Sequence, residues 1–188
     1  MQQCLVRRKD LLRKLLRPPP KLLFREAQLR AATAAVEERA SFRIEGPTGV
    51  GKTTLAILAT SGVATTYVPG FKCRTYECLR ERVSFHALNV IDDYGLIVRS
   101  ERVVSLIRSL PWKIVIVHPG LYAPEVEDLP RVWMPPYEYY ELRQILLERV
   151  ERLSLPVSTS IIERCALEAA RYSGSAKLAL LLLLEHLA

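Results

Sequence analysis

"GPTGVGKT", residues 46–53, follows the short alternating run SFRIE (41–45) and leads straight into TLAILAT (54–60). It fits Gly-x-x-x-x-Gly-Lys-[Ser/Thr] with Gly46, Gly51, Lys52 and Thr53, and it stands where that pattern does its chemistry, between a strand and a helix. Glycines let the backbone bend round a phosphate and turn its N–H groups inward, and the helix start adds positive potential. On this reading Gly46, Pro47, Thr48, Gly49, Val50, Gly51, Lys52, Thr53 and Thr54 cradle a nucleotide. Lys52 bridges the β- and γ-phosphates and Thr53 ligates magnesium.

The surroundings repeat the alternation. Before the loop, REAQLRAATAAVEERA (25–40) has a helical pattern. After it come a strand at 63–69, a helix at 73–83, a strand at 87–91, a helix at 99–110 closed by Pro111, a strand at 113–118 and a last strand at 131–134. Strands alternating with helices imply a parallel sheet covered on both faces, an α/β fold of the P-loop class. After PPY (135–137) the pattern turns to helices alone, at 138–153, 159–172 and 175–187. The chain thus divides into an N-terminal arm (1–20), an α/β base (21–135) and a small helical lid (136–188).

The third strand runs into NVIDDYG (89–95), and its two aspartates lie about forty residues beyond Lys52. Two acids after an apolar run more often form a turn; beside a phosphate loop they take a metal role. Asp92 then holds magnesium through water, and Asp93 occupies the place of the base that orients the attacking water. Aspartate lacks one methylene of glutamate, so its carboxylate falls roughly 1 to 1.5 Å short, a displacement that can cost about a hundredfold in rate.

The net charge of +7 belongs to the first thirty residues, which carry nine Lys or Arg against Asp10 and Glu26; the remainder carries eighteen of each sign. CLVRRKDLLRKLLR (4–17) gathers Leu5, Leu11, Leu12, Leu15 and Leu16 on one helical arc, with Arg7, Lys9, Arg13, Lys14 and Arg17 mostly opposite, and Pro18 to Pro20 end it. Such a helix docks its leucines on its own domain, lies on nucleic-acid phosphates, or rests on a membrane surface. Cys4, Cys73, Cys78 and Cys165 show neither CxxC pairing nor histidines at ligand spacing, and they read as reduced thiols of a cytoplasmic protein. LALLLLL (178–184) is too short to span a bilayer and reads as a buried helix. Twenty arginines against seven lysines and a single asparagine, Asn89, lean towards a thermophilic source.

At this point the chain resembles the AAA+ ATPases, and among them the replication initiators of the origin recognition complex and archaeal cell-division-control-six type, over residues 18 to 188. PPPKLLFREAQLRAA is similar to that family's leading segment, whose Arg-Glu pair, here Arg25 and Glu26, walls the adenine. MPPYEYYELRQILLERVE resembles the start of its lid, with Tyr137, Leu142, Ile145, Leu146 and Arg149 matching, and SGSAKLALLLL resembles the sensor-two segment. The resemblance puts Lys177 where sensor two carries arginine, reporting the γ-phosphate to the lid. Ser175 stands in place of the preceding aspartate, and His118 takes the position of the polar sensor-one residue. His118 equally reads as a strand-end turn histidine. No arginine clearly matches the trans-acting finger; Arg131 is nearest. No segment after the lid corresponds to the family's winged helix, so a winged-helix protein or an AAA+ partner subunit is an expected partner, beside DNA at the basic arm.

The resemblance implies an ATP- or ADP-binding, magnesium-dependent module in the cleft between base and lid, a nucleotide-dependent switch in DNA replication initiation or a related DNA transaction, with slow ATP hydrolysis. Two alternatives stand beside it: a non-catalytic adaptor of the same fold, and a P-loop phosphotransferase such as a nucleotide kinase. The second fits less well, because such enzymes insert an arginine-bearing lid after core strands, whereas here the helices follow the last strand.

Overall fold

The computed structural model describes residues 2–121 and 123–187, and for residues 2–8 the backbone alone. Along the chain run α1 (Gln2–Leu16), α2 (Glu26–Glu37), β1 (Phe42–Glu45), α3 (Lys52–Ala59), β2 (Thr65–Pro69), α4 (Tyr76–Arg82) and β3 (Leu88–Asp92). They are followed by α5 (Glu101–Ser109), β4 (Lys113–Val117), α6 (Pro124–Glu127), β5 (Arg131–Trp133), α7 (Tyr139–Arg152), α8 (Thr159–Tyr172) and α9 (Ala176–Glu185). Two compact units emerge, one of residues 25–46 and 52–134, the other of residues 1–24, 47–51 and 135–188.

The first unit is an α/β sandwich on a five-stranded, wholly parallel sheet in the order β2-β3-β4-β1-β5. Strand position follows from composition. LNVID and KIVIV are buried at every residue and take adjacent interior places, while RVW, with Arg131 and Trp133 exposed, sits at an edge. β1 alternates, its Phe42 and Ile44 fully buried. α3 packs on β1 and β4 and carries α2 on its flank, burying Leu55, Ala56, Ala32 and Val36. A second cluster joins Val68, Ile91, Val115 and Val117 of the strands to Leu79, Val103, Ile107 and Val126 of α4, α5 and α6. Each such side chain taken from water stabilises the fold by about 1.5–3 kcal/mol. Asn89, with no exposed surface inside β3, is bonded throughout: it accepts from Ser84 N (2.8 Å) and donates to Ser84 O (2.7 Å) and Ala87 O (3.1 Å).

Two local elements are absent from the sequence reading: α6, and a 3-10 turn at Tyr94–Leu96. One expectation is overturned. Cys73 and Cys78 are not free thiols but a disulfide, with Cα atoms 5.4 Å apart, linking the loop after β2 to the first turns of α4. The turn responsible is held by Cys73 N, which donates to the Pro69 and Gly70 carbonyls (3.1 and 3.3 Å), and by Thr75, which caps α4. Cys165 is free and buried. The side chain of Cys4 lies outside the described residues.

The second unit is a helical bundle in which α8 packs against both α7 and α9 and α1 lies on α9. Leu142, Leu146, Ile162, Ala166, Ala169, Leu180, Leu183 and Leu184 are buried in it, so the leucine-rich run near the end of the sequence is a core helix. α7 begins with a capping box in which Glu138 and Glu141 serve each other's backbone N–H groups, and Ser175 caps α9. On α1, Leu15 is completely buried and Leu11 and Leu12 half-buried, whereas Lys9, Arg13, Lys14 and Arg17 are exposed. The buried Arg149 of α7 donates to the Arg17 carbonyl (2.8 Å), where the end of α1 leaves carbonyls unpaired and its dipole is negative. Of the three fates open to the arm, Leu15 and, in part, Leu11 and Leu12 follow the docking one, whereas Leu16 is exposed and Arg13 lies 3.7 Å from Asp10.

Gly174 ends α8 at φ +60°, and a Cβ there would lie 2.6 Å from Pro136 Cβ and 2.8 Å from Tyr137 N, whose N–H donates elsewhere in the same contact to the Gly174 carbonyl (2.9 Å). Gly62 also has positive φ, +85°, but faces open space. Both glycine-to-alanine changes incur the left-handed backbone cost, about 1 kcal/mol, and only Gly174→Ala adds the clash. Gly62→Ala should lower the melting temperature by a few degrees, and Gly174→Ala by at least twice as much, read by thermal unfolding of the two variants in parallel.

Candidate functional site

Within the α/β unit, three strand ends and a helix start meet. α3 begins at Lys52, because the glycine-rich stretch before it has no helix-forming side chains and Lys-Thr-Thr-Leu-Ala does. Lys52 Nζ donates to the Gly46 carbonyl at the exit of β1 (2.6 Å). Burial pushes its ammonium below the ordinary lysine value, opposed by the negative charges of Asp93 and then Asp92. One residue on, Thr53 Oγ1 donates to Asp92 Oδ2 (2.8 Å). Asp92 is the last residue of β3 and only 5% exposed. Its other oxygen, Oδ1, accepts the N–H of Asp93 (2.9 Å). The phosphate-loop residues and the acid forty positions away are thus brought together.

Asp93 itself is exposed and adopts the left-handed conformation (φ 48°, ψ 47°), which aspartate tolerates better than most side chains. The turn it begins is held from below. Tyr94 Oη donates to Glu125 of α6, whose buried carboxylate also takes Arg99 NH2 at 2.7 Å, and burial, then this hydrogen bond, raises the Tyr94 phenol well above its usual value. The short helix α6 therefore props the loop that carries Asp93.

A residue outside the sequence reading completes this group. Tyr67, on β2, donates its hydroxyl to Asp92 Oδ2. Burial first, then that donation and the charge of Asp92, hold its phenol above the ordinary tyrosine value. The register explains the contact: Tyr67 pairs with Val90 and Pro69 with Asp92, so Tyr67 and Asp92 share a face of the sheet. The sequence signal was one tyrosine in a strand that also carries Thr65 and Thr66. It gains meaning only once β2 is known to lie beside β3.

The other expected residues lie apart from this cluster. His118 is exposed just past β4; its Nδ1 donates to the Pro119 carbonyl (2.8 Å) within its own turn, and its ring lines a cavity of about 370 Å3 with Arg43 and Glu45. Arg25 is buried at the start of α2. Arg131, the nearest match to a finger, is the first residue of β5, 3.9 Å from Glu45. Residues 47–51 group with the helical unit, where Thr48 is exposed and Val50 buried. There Gly49, at φ +81°, offers its carbonyl to Ala176 N (3.0 Å) and Lys177 N (3.4 Å) at the start of α9, while the Lys177 side chain is exposed. A Cβ on Gly49 would fall 2.0 Å from Ser175 Oγ, so this approach requires glycine.

The donor set suits magnesium, which is held by one or two hard oxygens and completes its shell with water and phosphate. Thr53 and Asp92 provide a hydroxyl and a carboxylate, and no cluster of three His, Cys, Asp or Glu able to hold a metal by itself occurs among the described residues. An ammonium resting on a loop carbonyl, at the start of a helix, suits an anion such as a phosphate group. No helix among the described residues is long and apolar enough to cross a membrane.

No protein-family model and no curated protein sequence matches the chain. Solved structures do. Cdc6p from Pyrobaculum aerophilum superposes over 92% of this chain and 63% of its own, with a TM-score of 0.71 and 16% identity. The Aeropyrum pernix ORC2 protein, in ADPNP–ADP complexes, covers 89% and 64%, at 0.62 and 17%. The Holliday junction branch migration motor RuvB of Thermotoga maritima covers 82% and 58%, at 0.65 and 19%. The chain spans less than two thirds of each. A wholly parallel five-stranded sheet, a phosphate loop entering α3 and a helical C-terminal segment give the chain the P-loop AAA+ fold, of the kind found in Cdc6p and ORC2.

Proposed function

We propose that the chain is an ATP- or ADP-binding AAA+ module that acts as a nucleotide-dependent switch in DNA replication initiation or a related DNA transaction, with slow hydrolysis at best. The 2.8 Å bond from Thr53 Oγ1 to Asp92 Oδ2 carries the reading, because it couples the last residues of the phosphate loop to the one buried acid at the end of a core strand. Lys52 neutralises the β- and γ-phosphates, leaving its resting place on the Gly46 carbonyl. The backbone N–H groups of residues 47–51 surround the phosphates, and Arg25 walls the base. Thr53 and Asp92 would hold magnesium, which when bound supplies positive charge to the phosphates and an ordered water. Lys177 would report on the γ-phosphate as a point charge, without the planar fork of an arginine.

An adaptor that binds nucleotide without turning it over is the second reading, favoured by Asp93 and His118. The first is a short carboxylate on an exposed left-handed turn, and the second is bonded within its own turn. DNA would be met by α1, whose leucine face is already engaged with α9 and whose cations point to solvent. A partner AAA+ subunit or winged-helix protein would extend that contact.

Three outcomes test these roles. Lys52→Ala should weaken ADP and ATP binding on the order of tenfold to a hundredfold, the range of a charge-assisted hydrogen bond, with an unchanged melting temperature; equal affinities by calorimetry would remove the phosphate-loop assignment. Asp93→Glu should turn ATP over at or above the wild-type rate and Asp92→Ala should abolish turnover, whereas a fast wild type slowed by Asp93→Glu would mean that the site is built around aspartate. Changing Lys9, Arg13, Lys14 and Arg17 together to glutamine should flatten the salt dependence of duplex DNA binding. About four phosphate contacts correspond to a slope near −3.6 in the unaltered protein, and equal slopes in both proteins would exclude α1 from the contact.

A further inference from the structure

A carboxylate offers about four acceptor positions, two on each oxygen. On Asp92, three are taken, and each donor comes from a different part of the α/β unit. Oδ2 accepts Thr53 Oγ1 of α3 and Tyr67 Oη of β2, and Oδ1 accepts the Asp93 N–H from the turn after β3. The backbone is tied at the same point, since Gly70 N donates to the Asp92 carbonyl (2.8 Å). Two donors on one oxygen and one on the other stop the carboxylate from rotating and leave a single acceptor position, on Oδ1.

We propose that Tyr67 is a positioning residue for magnesium: its hydroxyl locks the Asp92 carboxylate so that Oδ1 faces the metal's water shell with its one open acceptor position. The inference rests on the reading of Asp92 as the metal-holding acid. Magnesium tolerates little departure from octahedral geometry, so a carboxylate that meets its water gains from being fixed beforehand. Side-chain length explains why the residue is a tyrosine. Tyr67 lies two residues before the position that pairs with Asp92, a separation of about 6.6 Å along a strand, which a serine or threonine could not cross. Val68, its neighbour, points to the opposite face and into the hydrophobic cluster with Ile91. Thr53 and Tyr67 thus hold one oxygen from the helix side and the edge-strand side of the same face.

Tyr67→Phe deletes the hydroxyl and keeps the ring, which is 39% exposed on an edge strand, so the fold should be retained and the melting temperature should report it. The measurement is ADP affinity by calorimetry with magnesium and with chelator, for wild type and variant, together with manganese binding to the ADP complex followed by electron paramagnetic resonance. Expected is the same metal-free ADP affinity in both proteins and a metal affinity weakened about tenfold in Tyr67→Phe, the lower range for loss of a group that orients a metal ligand. A merely structural role would shift the melting temperature or the metal-free affinity instead, and that result overturns the proposal. So does an unchanged metal affinity, or a tighter one, which would make the hydroxyl a competitor of the metal. If wild type binds ADP with no response to either metal, the assignment of Asp92 falls and the role of Tyr67 falls with it. An intact response in wild type that survives Tyr67→Phe removes the role of Tyr67 alone.

Discussion

Thr53 and Asp92 share one hydrogen bond, and the geometry of the site follows from it. The threonine is fixed because α3 can begin only after the glycines, and the aspartate because β3 is buried along its whole length and ends there. Each is placed by local rules, yet their meeting depends on the parallel sheet, in which β3 lies two strands from β1 with β4 between and both strands end on the same edge. A buried carboxylate with only 5% exposure is costly unless its oxygens are bonded. The three donors around it offset that cost.

What could be read from the sequence was what depends on neighbours along the chain. The phosphate loop, the alternation of strands with helices and the change to helices after PPY are all local patterns, and the strands and helices they indicate are found within three residues of the indicated places. What could not be read depends on pairing across the sheet or on the path of a turn. Tyr67 lies 25 residues from Asp92 and meets it only through the β2–β3 register. Cys73 and Cys78 meet because Cys73 N closes a turn on Pro69 and Gly70. α6 escaped notice because four residues are too few for a period, and Tyr94 and Glu125 gain their partnership from tertiary packing alone.

Backbone contacts also shape the helical unit. Gly49 presents its carbonyl to the first N–H groups of α9, and the same helix carries the leucines of α1 on its side. The residue at each contact is one that no larger or differently shaped side chain could replace: Gly49 against Ser175, Gly174 against Pro136 and Tyr137. Arg149 closes the unit by donating to the last turn of α1 from inside the bundle.

That helical unit is built from residues 1–24, 47–51 and 135–188, whereas the sheet is complete once β5 has been made. During synthesis the strands can therefore condense while α1 still waits for its partners. Its leucines remain uncovered for more than a hundred residues of elongation, because α9 is the last helix to emerge. Contacts of such sequence separation form late and slowly. The exposed cations of α1 would then help to keep the waiting helix soluble through charge repulsion until α9 arrives.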